Sequence, residues 1–298
     1  MDNRYDVIII GGSYAGLSAA MALGRSLRNV LVIDSGEPCN AQTPHSHNFI
    51  TQDGETPARI REIARMQVAK YNTVTFHNTR ALMASSTGGG FTITTSNEQK
   101  HTAKRLLLAT GIKDIMPGIP GFAECWGISV LHCPYCHGYE VRAQKTAVVG
   151  DGDVGYHVGM LLTNWTKDLQ ILTNGPHSFS AEQLKALQNN NISINEKKIG
   201  ELMHNNGKVH TLGFTDGTQE NISVIYHKPQ FQQHSNIYEQ LGCGLNEMGY
   251  LNVDMKQKTT VDGVYAAGDN TIMMRSVANA VAMGNMAGAM INAELIFG

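Results

Sequence analysis

Two stretches of the chain carry one pattern, and that pattern leaves few folds open. Residues 5–34 read YDVIIIGGSYAGLSAAMALGRSLRNVLVID, and residues 146–175 read TAVVGDGDVGYHVGMLLTNWTKDLQILTNG. Each runs from a short apolar strand into a glycine turn, then a small-residue helix, then a second strand. Two parallel strands joined by a helix, with glycines at the turn, form the βαβ unit that binds dinucleotides. In the first, Gly11 allows the tight turn and Gly16 lets helix and strand pack closely. Ser13 stands where the strict motif has its middle glycine, and it is small enough to keep the backbone approachable. Asp34, at the end of the second strand, is placed for a ribose hydroxyl. The helix N-terminus faces the pyrophosphate and stabilises its charge. Cofactor contacts are therefore expected at Gly11, Gly12, Ser13, Tyr14, Ala15, Gly16, Asp34 and Ser35.

In the second stretch Gly150, Gly152 and Gly155 complete the fingerprint after the strand Thr146–Val149, with Asp153 and Val154 between them. The second strand is expected at Leu169–Leu172. The position matching Asp34 is Thr173, neither a carboxylate for a ribose nor an arginine for a 2′-phosphate. Residues 174–180, NGPHSFS, contain no Lys or Arg, and Ser180 then opens a capping box with Gln183. The fold of a pyridine-nucleotide domain is legible here, but a preference for NADPH or NADH is not. A third signal is TTVDGVYAAGDN, residues 259–270. A strand over Val264–Ala267 leads to Gly268 and Asp269, and a helix begins near Ser276 and Val277.

Bulk properties narrow the class. The 298 residues allow about two domains. The chain is 42% hydrophobic and 16% charged, with a net charge of −2, so nucleic acid is not an expected partner. The apolar run in MDNRYDVIII is too short for a signal peptide, so a cytoplasmic location is expected. Residues 276–297 are apolar, with Gly284 and Gly288 at the spacing of membrane dimerisation motifs. Asn279, Asn285, Asn292 and Glu294 interrupt them, which predicts a closely packed helix of a soluble protein and no membrane span.

The chemistry is concentrated in LHCPYCHGYE, residues 131–140. The cysteines are Cys39, Cys125, Cys133, Cys136 and Cys243, an odd and thinly spread set that does not suit a disulfide scaffold. A zinc site would need a second ligand pair, and no second CxxC exists, so no metal is expected. A disulfide closing four residues would stabilise little as a staple. Reversible exchange remains: one thiolate attacks a disulfide and the other resolves the mixed disulfide. Pro134 stiffens the turn, while His132 and His137 are placed to lower a thiol pKa or carry its proton. Cys39, Cys125 and Cys243 read as structural.

These blocks, taken with LLLATG at 106–111 and PGIPGF at 117–122, resemble the low-molecular-weight thioredoxin reductase family over essentially the whole chain. The resemblance implies an α/β protein of two Rossmann-like domains, the NAD(P)-type domain being inserted into a discontinuous FAD domain. The FAD segments are expected at 1–116 and 236–298, and the NAD(P)H-type domain carrying the CxxC at 117–235. IMPGIPG, residues 115–121, would be the crossover. FAD contacts would include Thr110, Gly111, Gly268, Asp269, Ser276 and Val277. They would extend to Asn48 in the loop PHSHNF, where His45 and His47 also lie without an assigned role. Cys136 would face the flavin, Cys133 would exchange with substrate, and the protein would be a homodimer. His137 departs from the family pattern, which has an acid at that position, and resembles a subgroup that includes dithiol oxidases. The default reading is an NAD(P)H-dependent reductase of a thioredoxin-like protein or a small disulfide. Two alternatives stand beside it: a dithiol oxidase whose flavin is reoxidised by oxygen, and a non-enzymatic redox sensor.

Overall fold

The opening apolar run forms a strand over Arg4–Ile10, and Val30–Asp34 lies parallel beside it, pairing Val7 with Val30 and Ile10 with Ile33. The computed structural model describes residues 4–298; residues 1–3, which open the expected first segment, lie outside the described residues. The chain divides into two units. One comprises Met1–Ala41, Pro57–Lys113 and Phe231–Gly298, and the other Gln42–Thr56 and Asp114–Gln230. Two differences from the sequence expectation stand out. Residues 42–56 go with the second unit rather than with the first segment. The crossings also fall at residues 113–114 and 230–231, inside two short strands that pair as a ribbon (Ile112–Ile115 with Gln230–Gln233), and not in IMPGIPG.

In the first unit the sheet order runs Val74–Asn78, Val30–Asp34, Arg4–Ile10, Lys100–Leu108, Gly90–Thr95, Ala81–Thr87. Val264–Ala266 pairs parallel with the same strand Lys100–Leu108. Val7, Ile8 and Ile9 are fully buried, as strands covered on both faces must be, which explains their unbroken apolar run. The expected C-terminal helix spans Val277–Phe297 and packs on the helix Tyr14–Arg25. Ser18 Oγ donates to Val281 O at 2.7 Å, and a Cβ on Gly284 would lie 2.0 Å from Ala15 O. Small residues are thus what brings the two backbones together. The helix is long and apolar enough to cross a membrane by length and composition. Its Glu294, however, accepts from Arg105 Nε at 2.6 Å and from the Tyr265 hydroxyl at 2.6 Å.

His101 is a buried histidine of this unit, 2% exposed. Its ring lies 4.9 Å from that of His77 and 6.2 Å from that of Tyr5, and neither nitrogen has a hydrogen-bond partner among the described residues. Burial, with His77 adding to it, pushes the imidazole below its ordinary value.

The second unit holds a five-stranded parallel sheet in the order Ser193–Asn195, Leu169–Leu172, Thr146–Val149, Val224–His227, Val130–Leu131. Both strands expected from the second fingerprint are present with the expected bounds. Helices Gly152–Leu162 and Ala181–Asn189 follow them, the latter opened by the Ser180–Gln183 capping box. The short strand Val130–Leu131 leads straight into Cys133. This puts the dithiol beyond the carboxyl end of a parallel strand, where such sheets carry their sites.

Two outcomes are expected. Gly284→Ala forces the two helices apart at Ala15 and destabilises the fold by about 1–3 kcal/mol, read as a lower midpoint in denaturant unfolding. His101 is held neutral when folded, so the unfolded chain binds the extra proton first, and stability falls as pH drops below the unfolded value of ~6.5. His101→Phe removes that loss, and thermal midpoints measured between pH 7.5 and 5 are flatter than those of the wild type.

Candidate active site

Cys133 has extended backbone and precedes the one-turn helix Pro134–His137, with proline at its first position, where a missing N–H costs nothing. Cys136 N and His137 N both donate to Cys133 O at 3.2 Å, and Gly138 N donates to Pro134 O at 2.7 Å. Cys133 and Cys136 are joined as a disulfide, with their Cα atoms 5.3 Å apart. The exposed Tyr135 ring meets Trp165 edge-on at 5.7 Å, and Arg142 lies over the exposed Tyr139 ring at 4.0 Å. His132 is turned towards Trp126, ring centroids 6.0 Å apart.

His137 faces His47, their rings edge to face with centroids 6.2 Å apart. Burial pushes the His137 imidazole below its ordinary value, the nearby His47 adds to that, and Glu140 opposes it. His47 Nδ1 lies 3.5 Å from Glu140 Oε1 and 3.7 Å from Asp53 Oδ1. His47 belongs to the loop 42–56, folded on itself by Ser46 N to Glu55 O (2.8 Å) and Gly54 N to Ser46 O (2.9 Å). Asn48, at φ 59°, has its backbone N–H donating to Asp53 Oδ1 at 2.7 Å, and its side chain is exposed. His45 is exposed and contacts Gly54 O at 2.9 Å. Gln42 Nε2 tethers the base of the loop, donating to Ala123 O at 2.9 Å and Trp126 O at 3.1 Å. Beneath, the hydroxyl of the buried Tyr226 has no partner among the described residues, and burial together with Glu140 pushes the phenol far above its ordinary value.

The two glycine turns differ in charge. In the first, Gly11 sits at φ 107°, where a Cβ would lie 2.1 Å from Ala109 O, and Gly12 N donates to Asp34 Oδ1 at 3.1 Å. Ser13 does not cap the helix with its side chain, and no acid lies in the first turn. Helix amides without a side-chain cap or an acid in the first turn suit a pyrophosphate, although Asp34 already holds one backbone donor of the glycine turn. At the far strand, Asp269 Oδ2 lies 3.6 Å from Arg275 Nε and 3.7 Å from Cys39 Sγ. Cys39, read as structural, is thus exposed and beside an expected cofactor residue. Asn270 is fully buried, its Nδ2 donates to Leu108 O at 2.8 Å, and its Oδ1 has no partner among the described residues. Thr110 lies within reach of the same amide at 3.4 Å. Ser276 caps the C-terminal helix, its hydroxyl oxygen accepting from Asn279 N at 3.1 Å.

In the second turn Asp151 stands at the helix N-cap without capping it, and Asp153 lies in the first turn. Asp151 Oδ1 accepts from Ser178 N at 2.9 Å. Burial acts upward on this carboxyl, but the Ser178 hydrogen bonds outweigh it and hold the group below its ordinary value. Asp153 Oδ1 accepts from Gln183 Nε2 at 2.7 Å, and Glu196 Oε1 accepts from His177 N at 2.9 Å. Thr173 Oγ1 donates to Gly175 O at 2.6 Å. Two carboxylates, Asp151 and Asp153, thus stand at the turn where phosphates would approach, and Glu196 holds the loop after the second strand. Asp151 was readable within the fingerprint itself. The pairing of His47 with Glu140 was not, because nothing local links residues so far apart in the chain.

Residues 5–284 match the family model described as pyridine nucleotide-disulphide oxidoreductase. The chain belongs to that family. It is 33% identical to thioredoxin reductase tcpT of Claviceps purpurea, over 99% of this chain and 95% of that one. It is 30% identical to thioredoxin reductase sirT of Leptosphaeria maculans, over 98% and 94%. The crystal structure of an oxidoreductase from Agrobacterium tumefaciens superimposes with a TM-score of 0.93 at 36% identity, covering 99% of each chain. The protein is an FAD-dependent thiol–disulfide oxidoreductase of thioredoxin reductase type, in a family that uses FAD and NAD(P)H. Its architecture is the two-Rossmann arrangement expected from the sequence.

Gln42→Ala is expected to free the loop, speeding amide exchange over residues 44–54 by about tenfold or more while leaving the sheet cores protected.

Proposed function

We propose that the protein oxidises a small-molecule dithiol to its disulfide at Cys133–Cys136. The observation that carries this reading is Asp151, latched to Ser178 at the second glycine turn, with no Lys or Arg in residues 174–180. A dinucleotide pyrophosphate would meet that carboxylate, and like charges brought together cost several kcal/mol. The uncapped helix end and the full set of glycines favour the second reading, an NAD(P)H-dependent reductase of a protein or small disulfide.

In the proposed direction a substrate thiol gives its proton to His137 and the thiolate attacks Cys133 Sγ. The new S–S bond forms as the Cys133–Cys136 bond breaks, and Cys136 leaves with the electron pair as a thiolate. The Cys136 thiolate takes the proton of the substrate's second thiol, which attacks the substrate's own sulfur in the mixed disulfide and releases Cys133 as a thiolate that takes the first proton back from His137. The substrate has then lost two electrons and two protons, and the enzyme disulfide is a dithiol. Bound FAD supplies the acceptor for those two electrons. The exposed rings of Tyr135, between the two cysteines in the chain, and Tyr139, three residues beyond them, suit a compact, partly apolar substrate. Homodimeric assembly and a cytoplasmic location, both expected from the sequence, belong to the same reading.

The deciding measurement is flavin absorbance under anaerobic conditions. Dithiothreitol is expected to bleach the flavin, whereas NADPH and NADH at similar concentration leave it oxidised. Rapid bleaching by either nucleotide would return the assignment to a reductase. Asp151→Gly is expected to tighten NADH binding by about tenfold by removing the carboxylate from the turn.

A further inference from the structure

We propose that His47 and Glu140 are positioning residues that set His137 as the proton acceptor of thiol–disulfide exchange at Cys133–Cys136. The inference rests on exchange at this pair and not on the direction in which electrons leave it.

Three elements converge on His137. Its own helix carries Cys136 and starts directly after Cys133, the loop 42–56 presents the ring of His47 edge-on, and the following turn supplies Glu140. His47 is itself held on one nitrogen, Nδ1, by Glu140 at 3.5 Å and Asp53 at 3.7 Å, with His45 6.4 Å away ring to ring. Carboxylates beside one nitrogen of an imidazole orient its ring. The His47 side chain is only 19% exposed, in a loop whose neighbours at 45 and 48 lie open to solvent. The buried Tyr226 hydroxyl, without a partner among the described residues, lies in the field of the same Glu140.

The two neighbours act on His137 with opposite sign. Glu140 favours the imidazolium that forms when the substrate S–H bond breaks and its proton moves to the ring. His47 disfavours it, so His137 returns its proton and is neutral for the next thiol. A ring held by burial alone would accept protons poorly, and one beside a carboxylate alone would keep them.

The test uses the FAD-loaded protein under anaerobic conditions, with dithiothreitol as the dithiol and flavin bleaching followed by stopped flow as pH is varied. The acid limb of the rate reports protonation of His137. Glu140→Gln removes the favourable charge, so the limb moves to lower pH; His47→Gln removes the opposing one, so it moves to higher pH, each by about half a unit or more. His47→Asn gives the same readout if glutamine disturbs the loop. Residues with a merely structural role would lower the rate at every pH and leave the limb in place. Unmoved limbs, or limbs that move the same way in both variants, overturn the proposal. A wild-type flavin that dithiothreitol fails to bleach at any pH instead overturns the exchange reading, and this proposal with it.

Discussion

Parallel pairing on both sides of the strand Lys100–Leu108 makes one unit out of three chain segments. Arg4–Ile10 lies along one edge, and Val264–Ala266, more than half the chain later, lies along the other. Without that closure the C-terminal helix would have no partner for Gly284 and Glu294. Asn270 is held by the same strand, since its amide donates to Leu108 O. The glycine turn after the first strand sits at the carboxyl end of this assembly, so the expected cofactor residues near 11, 34, 110 and 269 meet there because the ladder brings them together.

The two glycine turns show how one backbone plan can be given different electrostatics. Both helices begin without a side-chain cap. A helix start carries the equivalent of roughly half a positive charge, which a bound anion or a local carboxylate can satisfy. At Tyr14–Arg25 no acid lies in the first helical turn and Asp34 is held by Gly12 N ahead of it, whereas at Gly152–Leu162 Asp151 and Asp153 stand at the helix start itself. A similar fold therefore carries different charges at its two helix starts, through side chains that leave the strands and helices unchanged.

Much of this was legible in the sequence, and the limits have a physical pattern. The strands Thr146–Val149 and Leu169–Leu172, the Ser180–Gln183 box and the C-terminal helix were readable because hydrophobic period, glycine turns and caps are local signals. The dithiol was readable for the same reason. The destination of residues 42–56 was not: it depends on Gln42 reaching carbonyls some 80 residues away, which leaves no trace in local pattern. The burial of His101 between Tyr5 and His77 is likewise a product of packing between strands distant in the chain.

The tether at Gln42 also has an evolutionary side. Among the described residues, none of 42–56 belongs to the two apolar clusters built on Phe122 and Val130 or on Leu131 and Tyr226 in the second unit. The loop is fastened at its base and folded by its own hydrogen bonds, so substitutions at its tip can accumulate with little risk to the scaffold. Selection can therefore retune what stands beside His137, including His47, without renegotiating the fold. The loop is a replaceable part on a separately packed frame, and related chains that act on different sulfur compounds would be expected to diverge there first.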